Sequence, residues 1–221
     1  MTCEEAARPD ARASAIDEIV SRIRACDVCV TEPDGPRLPH PPRPVLRVST
    51  TARLLIASQA PGNLVNQTGV PFNDPSGDRL RAWLGLDRDR FYDVTRIAIV
   101  PMGFCFPGYD KSGADLPPRR ECRERWHDRL FDTLPQIDTV LAIGRYAQAY
   151  HFRRLGHVLP SNASMTDIVR RWREFEKTHP RLIPLPHPSW RNSGWLKRNP
   201  WFKAELLPVL KAEVMRLTQH E

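Results

Sequence analysis

The stretch Arg53-Leu-Leu-Ile-Ala57, continued by Ser58-Gln-Ala-Pro-Gly62, decides the fold. An apolar run this short, stopped by Pro61-Gly62, reads as a buried strand that ends in a turn. Upstream, Ile16, Ile19, Val20 and Ile23 follow helical spacing, which predicts a helix over 14–25 that ends at Cys26. Residues 31–47 are rich in proline and read as an extended connector. Downstream, helical spacing returns at 77–86, with Leu80, Trp83 and Leu84 on one face. A β-rich segment follows at 92–100, then a loop over 105–116. Pro117-Pro118 opens a helix carrying Cys122, Trp126, Leu130 and Leu134. A strand at 137–143, a helix at 145–155, a strand at 181–186 and a helix at 202–217 complete the chain.

Strands alternating with helices predict an α/β fold, a three-layer α/β/α sandwich with a mostly parallel central sheet. In such sheets the ligand site lies beyond the carboxyl ends of the strands. Those ends carry Ser58–Gly62, Pro101–Phe104, Gly144-Arg145 and His187-Pro-Ser189. The reading is one domain over 1–221, with 1–12 polar and frayed.

Composition narrows the class. The 221 residues are 41% hydrophobic and 27% charged, values of a soluble globular chain. No run approaches the roughly 18 apolar residues of a membrane span, and Met1-Thr2-Cys3-Glu4-Glu5 has no apolar signal core. A cytoplasmic protein is expected, with no membrane partner. The formal net charge of +7 suits a polyanionic partner such as nucleic acid and equally suits a solubility role. Proline, at 22 residues, predicts long ordered loops. Of five cysteines, Cys26 and Cys29 form a Cys-x-x-Cys pair, Cys105 and Cys122 lie far downstream, and Cys3 stands apart. In a reducing compartment such thiols bind metal or stay free. The spacing leaves inert burial, zinc and an iron–sulphur cluster open.

Three loops carry candidate chemistry. A turn at Gln59-Ala60-Pro61-Gly62 leaves backbone N–H groups free to hold an acceptor atom. Gly69-Val-Pro-Phe72-Asn-Asp74 offers an aromatic ring, an amide and a carboxylate within three positions. The last strand is followed by His187-Pro-Ser189-Trp190-Arg191-Asn192, and Trp190, Trp195, Trp201 and Phe202 stand among Arg191, Lys197 and Arg198. Aromatics interleaved with cations suit a nucleic-acid surface, where cations hold phosphates and flat rings stack or wedge. The competing reading packs these rings on the core.

Together these segments resemble the uracil-DNA glycosylase superfamily. Gln59-Ala-Pro-Gly62 looks like its first motif, which is Gly-Glu-Ala-Pro-Gly in the iron–sulphur branch (family four) and Gly-Gln-Asp-Pro-Tyr in the best-known one. Gly69-Val-Pro-Phe72 is similar to the following Gly-x-Pro-Phe, whose Phe stacks on flipped uracil. His187-Pro-Ser189 resembles the second motif, whose His binds uracil O2 and whose following loop wedges into the minor groove. The order of Cys26, Cys29, Cys105 and Cys122 is similar to the four ligands of the iron–sulphur branch, which implies a 4Fe-4S cluster, with zinc as the alternative. The departures are Ala60 in place of the Asp of one branch, Gln59 in place of the Glu of the other, and no counterpart of the uracil-reading Asn before Cys105.

The resemblance implies a monomeric repair enzyme that flips uracil from DNA and hydrolyses its N-glycosidic bond. Phe72 would stack on the base, with Ala60, Gly62 and Ser189 lining its pocket. N–H groups near Gln59 and Gly62, with His187, would stabilise the departing uracil. Asp74, then Asp78, would orient water or stabilise the sugar cation, unless they serve only as acids at the start of a helix. Trp190, Arg191, Asn192, Lys197 and Arg198 would meet DNA. The alternative functions are a non-catalytic iron–sulphur nucleic-acid binder and an electron-transfer protein.

Overall fold

The computed structural model describes residues 9–160 and 162–219. Four five-residue strands, β1 (Leu54–Ser58), β2 (Ile97–Pro101), β3 (Thr139–Ile143) and β4 (Arg181–Leu185), form one sheet in the order β2-β1-β3-β4. Every pair is parallel, with Leu54 beside Ile97 and Thr139, and Thr139 beside Arg181. The helices are α1 (Pro9–Arg24), α2 (Val28–Thr31), α3 (Asn63–Thr68), α4 (Pro75–Leu84) and α5 (Arg88–Phe91). They continue with α6, in which Arg120–Cys122 and Asp128–Asp132 are joined by a π turn at Arg123–His127, then α7 (Gly144–Arg154) and α8 (Met165–Arg170). Last come α9 (Ser193–Arg198) and α10 (Leu207–Thr218), the latter entered through a π turn at Phe202–Leu206.

Burial explains the layers. Side chains alternate across a strand, and here both faces are apolar, as a parallel sheet requires. Leu55, Ala57, Ala98, Val100, Val140, Ala142 and Leu182 join the core under α1, α6 and α7. Leu54, Ile56, Ile97, Ile99, Leu141, Ile143, Ile183 and Leu185 join the core under α4 and α10. The three-layer α/β/α expectation holds. No helix among the described residues is long and apolar enough to cross a membrane.

Several boundaries differ from expectation. Residues 9–12, read as frayed, begin α1; residues 1–8, including Cys3, lie outside the described residues. The strand expected from residue 92 starts at Ile97, because Asp93 accepts from the Thr95 backbone N–H at 3.0 Å and its hydroxyl at 2.6 Å, closing a turn. Helix α8 falls in a segment left without structure; Ser164 and Asp167 cap it reciprocally, and Ile168 and Val169 reach opposite cores. The aromatic cluster near the C-terminus also divides. Trp195 and Phe202 are buried, Trp195 donates to Thr166 Oγ1 at 2.8 Å, and Trp201 packs edge-on against both. Those rings serve the core; Trp190 alone of this group is left 74% exposed.

One buried group makes the fold sensitive to acid. His151 on α7 is 3% exposed, its Nε2 has no hydrogen-bond partner among the described residues, and burial, with help from His127 and Arg154, lowers its pKa from 6.5 to about 3. The unfolded chain therefore binds the extra proton between pH 6.5 and about 3. Stability from this group is complete above 6.5 and declines as pH falls, by up to about 1.4 kcal/mol per unit. Urea melts of wild type and His151→Leu between pH 7 and 5 should show a flatter acid decline in the variant.

Candidate active site

The loops at the carboxyl edge of the sheet enclose a cavity of ≈ 70 Å³ lined by Ser58, Ala60, Gly62, Phe72, Asp74, Asp115 and His187, among others. It adjoins an outer groove of ≈ 300 Å³ that shares Ala60, Pro61, Asp115 and His187 and adds Gln59, Ser189 and Arg191. The lining comes from the ends of β1, β2 and β4. Strand β3 adds nothing, because Gly144 turns directly into α7 through a left-handed φ of 78°. The loops after β1 and β2 are tied by backbone bonds, Met102 N–H to Ser58 C=O at 2.8 Å and Gly103 N–H to Gln59 C=O at 2.9 Å.

Phe72 sits in the wall of the cavity with φ 55°, the one non-glycine residue with positive φ among those described. Such a conformation costs about 1–3 kcal/mol and persists only when its surroundings impose it. Here Arg81 Nη1 donates to the Phe72 carbonyl at 3.2 Å, Tyr92 Oη donates to the Pro71 carbonyl at 2.8 Å, and Phe91 meets the Phe72 ring edge-on at 6.0 Å. Behind it, Gly77 lies so close that a Cβ there would stand 1.8 Å from the Phe72 oxygen.

Asp74 caps α4. Its Oδ1 accepts from the Gly77 N–H at 2.9 Å and the Ser76 hydroxyl at 2.7 Å, with Pro75 in the first turn behind it. The same carboxylate faces the cavity, where it acts electrostatically on His187 and Asp115. Asp78 does not: it is exposed and paired with Arg81 at 2.6 Å, so the second candidate carboxylate lies outside the cavity.

His187 is held by its own loop, where Asn192 Nδ2 donates to the His187 carbonyl at 2.7 Å and Arg79 Nη1 to the Ser189 carbonyl at 2.8 Å. Burial lowers the His187 pKa, against the pull of Asp74 and Asp115, so the imidazole is neutral at pH 7. Asn192, expected at DNA, spends its amide on this loop. Trp190 projects with the Arg191 guanidinium 5.8 Å from its ring centre, and Lys197 and Arg198 are exposed on α9.

Asp115 was missed by the sequence reading, since its segment looked like plain loop. The chain there makes a small hairpin: Asp110 Oδ1 accepts from Ser112 and Ala114, and Leu116 N–H bonds to Gly108 C=O at 2.9 Å. It delivers the Asp115 carboxylate over Gly62, where a Cβ would stand 4.0 Å from Oδ2. Partial burial raises the Asp115 pKa, and Asp74 adds to the rise; Arg191 and His187 oppose it. At the end of β2, Pro101 lines the cavity and offers no side-chain donor.

The four expected thiols converge away from this cavity. Cys29, Cys105 and Cys122 are buried and Cys26 is partly so. The Cys122 S–H hydrogen bond holds the Cys29 pKa down at about 7, while burial pushes Cys105 up to about 12. Each sulphur meets an N–H donor: Trp126 Nε1 for Cys26 at 3.3 Å, Arg119 for Cys29, and the backbone of Arg43 and Phe104 for Cys105 and Cys122. Among the described residues, no group of three or more His, Cys, Asp or Glu side chains is arranged to hold a metal ion.

The family model described as the Uracil DNA glycosylase superfamily matches residues 47–211, well over half of the chain. The matched region runs from the connector before β1 into α10 and includes the loops after β1, β2 and β4 that border the cavity.

The close approach of Gly77 gives a test of how the Phe72 wall is maintained. Gly77→Ala must push the Phe72 carbonyl away, at a cost of about 1–3 kcal/mol or more. Thermal melts should show that loss, and Phe72 should leave its left-handed conformation in a crystal structure of the variant.

Proposed function

This chain belongs to the uracil DNA glycosylase superfamily, and we propose that it flips uracil out of DNA and hydrolyses the N-glycosidic bond, leaving an abasic site. Family membership carries a DNA glycosylase-type hydrolase function; the choice of uracil is the proposal. The observation that supports it most is the meeting of Phe72, His187 and the Ala60–Gly62 turn around one cavity at the sheet's carboxyl edge. A flat base would stack on Phe72. Neutral His187 would donate to its carbonyl oxygen, and N–H groups of the Gln59–Gly62 turn would add further donors as negative charge grows on the leaving base. The low His187 pKa supports this, since a neutral imidazole both binds an uncharged base and stabilises the departing anion.

In this reading DNA lies across the outer groove. Arg191, Lys197 and Arg198 would contact phosphates, Ser189 would line the path of the base, and Asn192 would act by holding the His187 loop. Trp190 would fill the space that the flipped base leaves; its exposure beside Arg191 supports a role outside the core. We read the enzyme as a cytoplasmic monomer.

Cys26, Cys29, Cys105 and Cys122 would hold a 4Fe-4S cluster. The donor set suits such a group: four thiols converge from the end of α1, from α2, from the loop after β2 and from α6, each beside an N–H donor. Its contribution would be structural, tying α2 to α6 and to the loop after β2.

The activity test is direct. Pure protein incubated with a uracil-containing oligonucleotide, then treated with alkali, should cleave the strand at uracil. His187→Ala should slow release by about a hundredfold or more, the value of one transition-state donor. Retention of the oligonucleotide without cleavage would instead favour a non-catalytic binder, a reading that the missing carboxylates at Gln59 and Ala60 support.

The cluster has its own test. Anaerobically purified protein should be brown, with iron and sulphide in equal amount, and Cys26→Ser should reduce stability before it alters chemistry. Stoichiometric zinc without iron would overturn the assignment.

A further inference from the structure

We propose that Asp115 is the catalytic carboxylate that activates water in this chain, replacing the acid that the first motif lacks at Gln59 and Ala60. The inference rests on the glycosylase reading above. Its basis is position. Asp115 is the carboxylate that lines both the inner cavity and the outer groove. His187, where the base would bind, also lines both, so a sugar joining that base to a strand in the outer groove would lie near these two residues.

Availability is the second argument. Asp74 Oδ1 is committed to the α4 cap, Asp78 to Arg81, and Asp110 to its own turn. No protein group among the described residues donates a hydrogen bond to the Asp115 carboxylate, although backbone bonds from Asp110 to Ala114 and from Leu116 to Gly108 hold its hairpin on either side. A carboxylate held in place through its backbone, with open oxygens over a pocket, is arranged to accept a proton from something that arrives there. Its charged neighbours agree. Partial burial and Asp74 raise the Asp115 pKa above the ordinary carboxylate value, and the Arg191 guanidinium opposes that rise.

The step balances as follows. The C1′–N1 bond breaks and its electron pair leaves with uracil, whose negative charge His187 and the Gln59–Gly62 turn meet. The sugar becomes cationic between Asp74 and Asp115. A water oxygen bonds to C1′ and its proton passes to Asp115, which later releases it to solvent. The uracil anion takes a proton from solvent on leaving.

Single-turnover release from a single-stranded oligonucleotide with one deoxyuridine tests this on the full chain. Asp115→Asn should lower the rate by about a hundredfold or more, as loss of a general base does, with oligonucleotide affinity kept. The acid limb of the wild-type pH–rate profile should change in that variant, because Asp74, His187 and Arg191, which face Asp115, remain. Formate should restore part of the activity of Asp115→Ala, a rescue that a merely structural residue would not show. Wild-type release with Asp115→Asn within about threefold of it would overturn the assignment alone. Wild-type protein that releases no uracil would overturn the glycosylase reading and this assignment with it.

Discussion

The contact between the Gly77 backbone and the Phe72 carbonyl is the constraint on which the cavity depends. Phe72 can turn inward only by adopting a left-handed backbone, and it can do so only because no side chain stands behind it. Everything around it follows from that approach. The first turn of α4 must start where Gly77 is, so its cap residue is Asp74, at the cavity wall. Arg81, one turn further, is then in reach of the Phe72 carbonyl and lies 5.3 Å from the Phe91 ring. A local strain of about 1–3 kcal/mol is thus offset by a helix start, a buried arginine and two aromatic contacts.

The sheet makes such local strain affordable. Each strand has five residues, nearly all buried, and their parallel register brings the loop after every strand to one edge. That edge combines opposite electrostatic demands within one opening. Low polarity keeps His187 neutral, while two carboxylates face it across the cavity and Arg191 stands at the rim. A reaction that separates an anionic base from a cationic sugar meets an environment already divided in the same sense.

The architecture was legible because short apolar runs between Pro and Gly stops have few interpretations. All four strands lie where those runs lie, and helical spacing located α1, α4, α6, α7 and α10. The loops at the strand ends were legible too: Gln59–Gly62, Phe72, Asp74 and His187 do border one opening. What failed was inference from composition. Trp195, Trp201 and Phe202 looked like a nucleic-acid surface, yet an aromatic residue gives no sign in sequence of which way it points. Asp115 was invisible for a different reason. A hairpin closed by an Asp110 turn and one short backbone pairing has no period to detect, and its contact with Gly62 spans the whole of β2. Helices α3 and α5 are too short for periodicity, and α8 showed only its Ser164 cap.

The hairpin between Cys105 and α6 closes mostly on itself. Its Asp110 turn and its Gly108–Leu116 bond involve no strand of the sheet. Such an element behaves as an exchangeable part. Its length and tip can vary without disturbing either core, while Gly103 and the cysteines at its two roots keep it aimed at the opening. Descendants of one scaffold can therefore acquire or lose a carboxylate at this position by changing a surface turn, leaving the buried framework untouched. A change of chemistry placed on such a turn is then separated from the risk of unfolding.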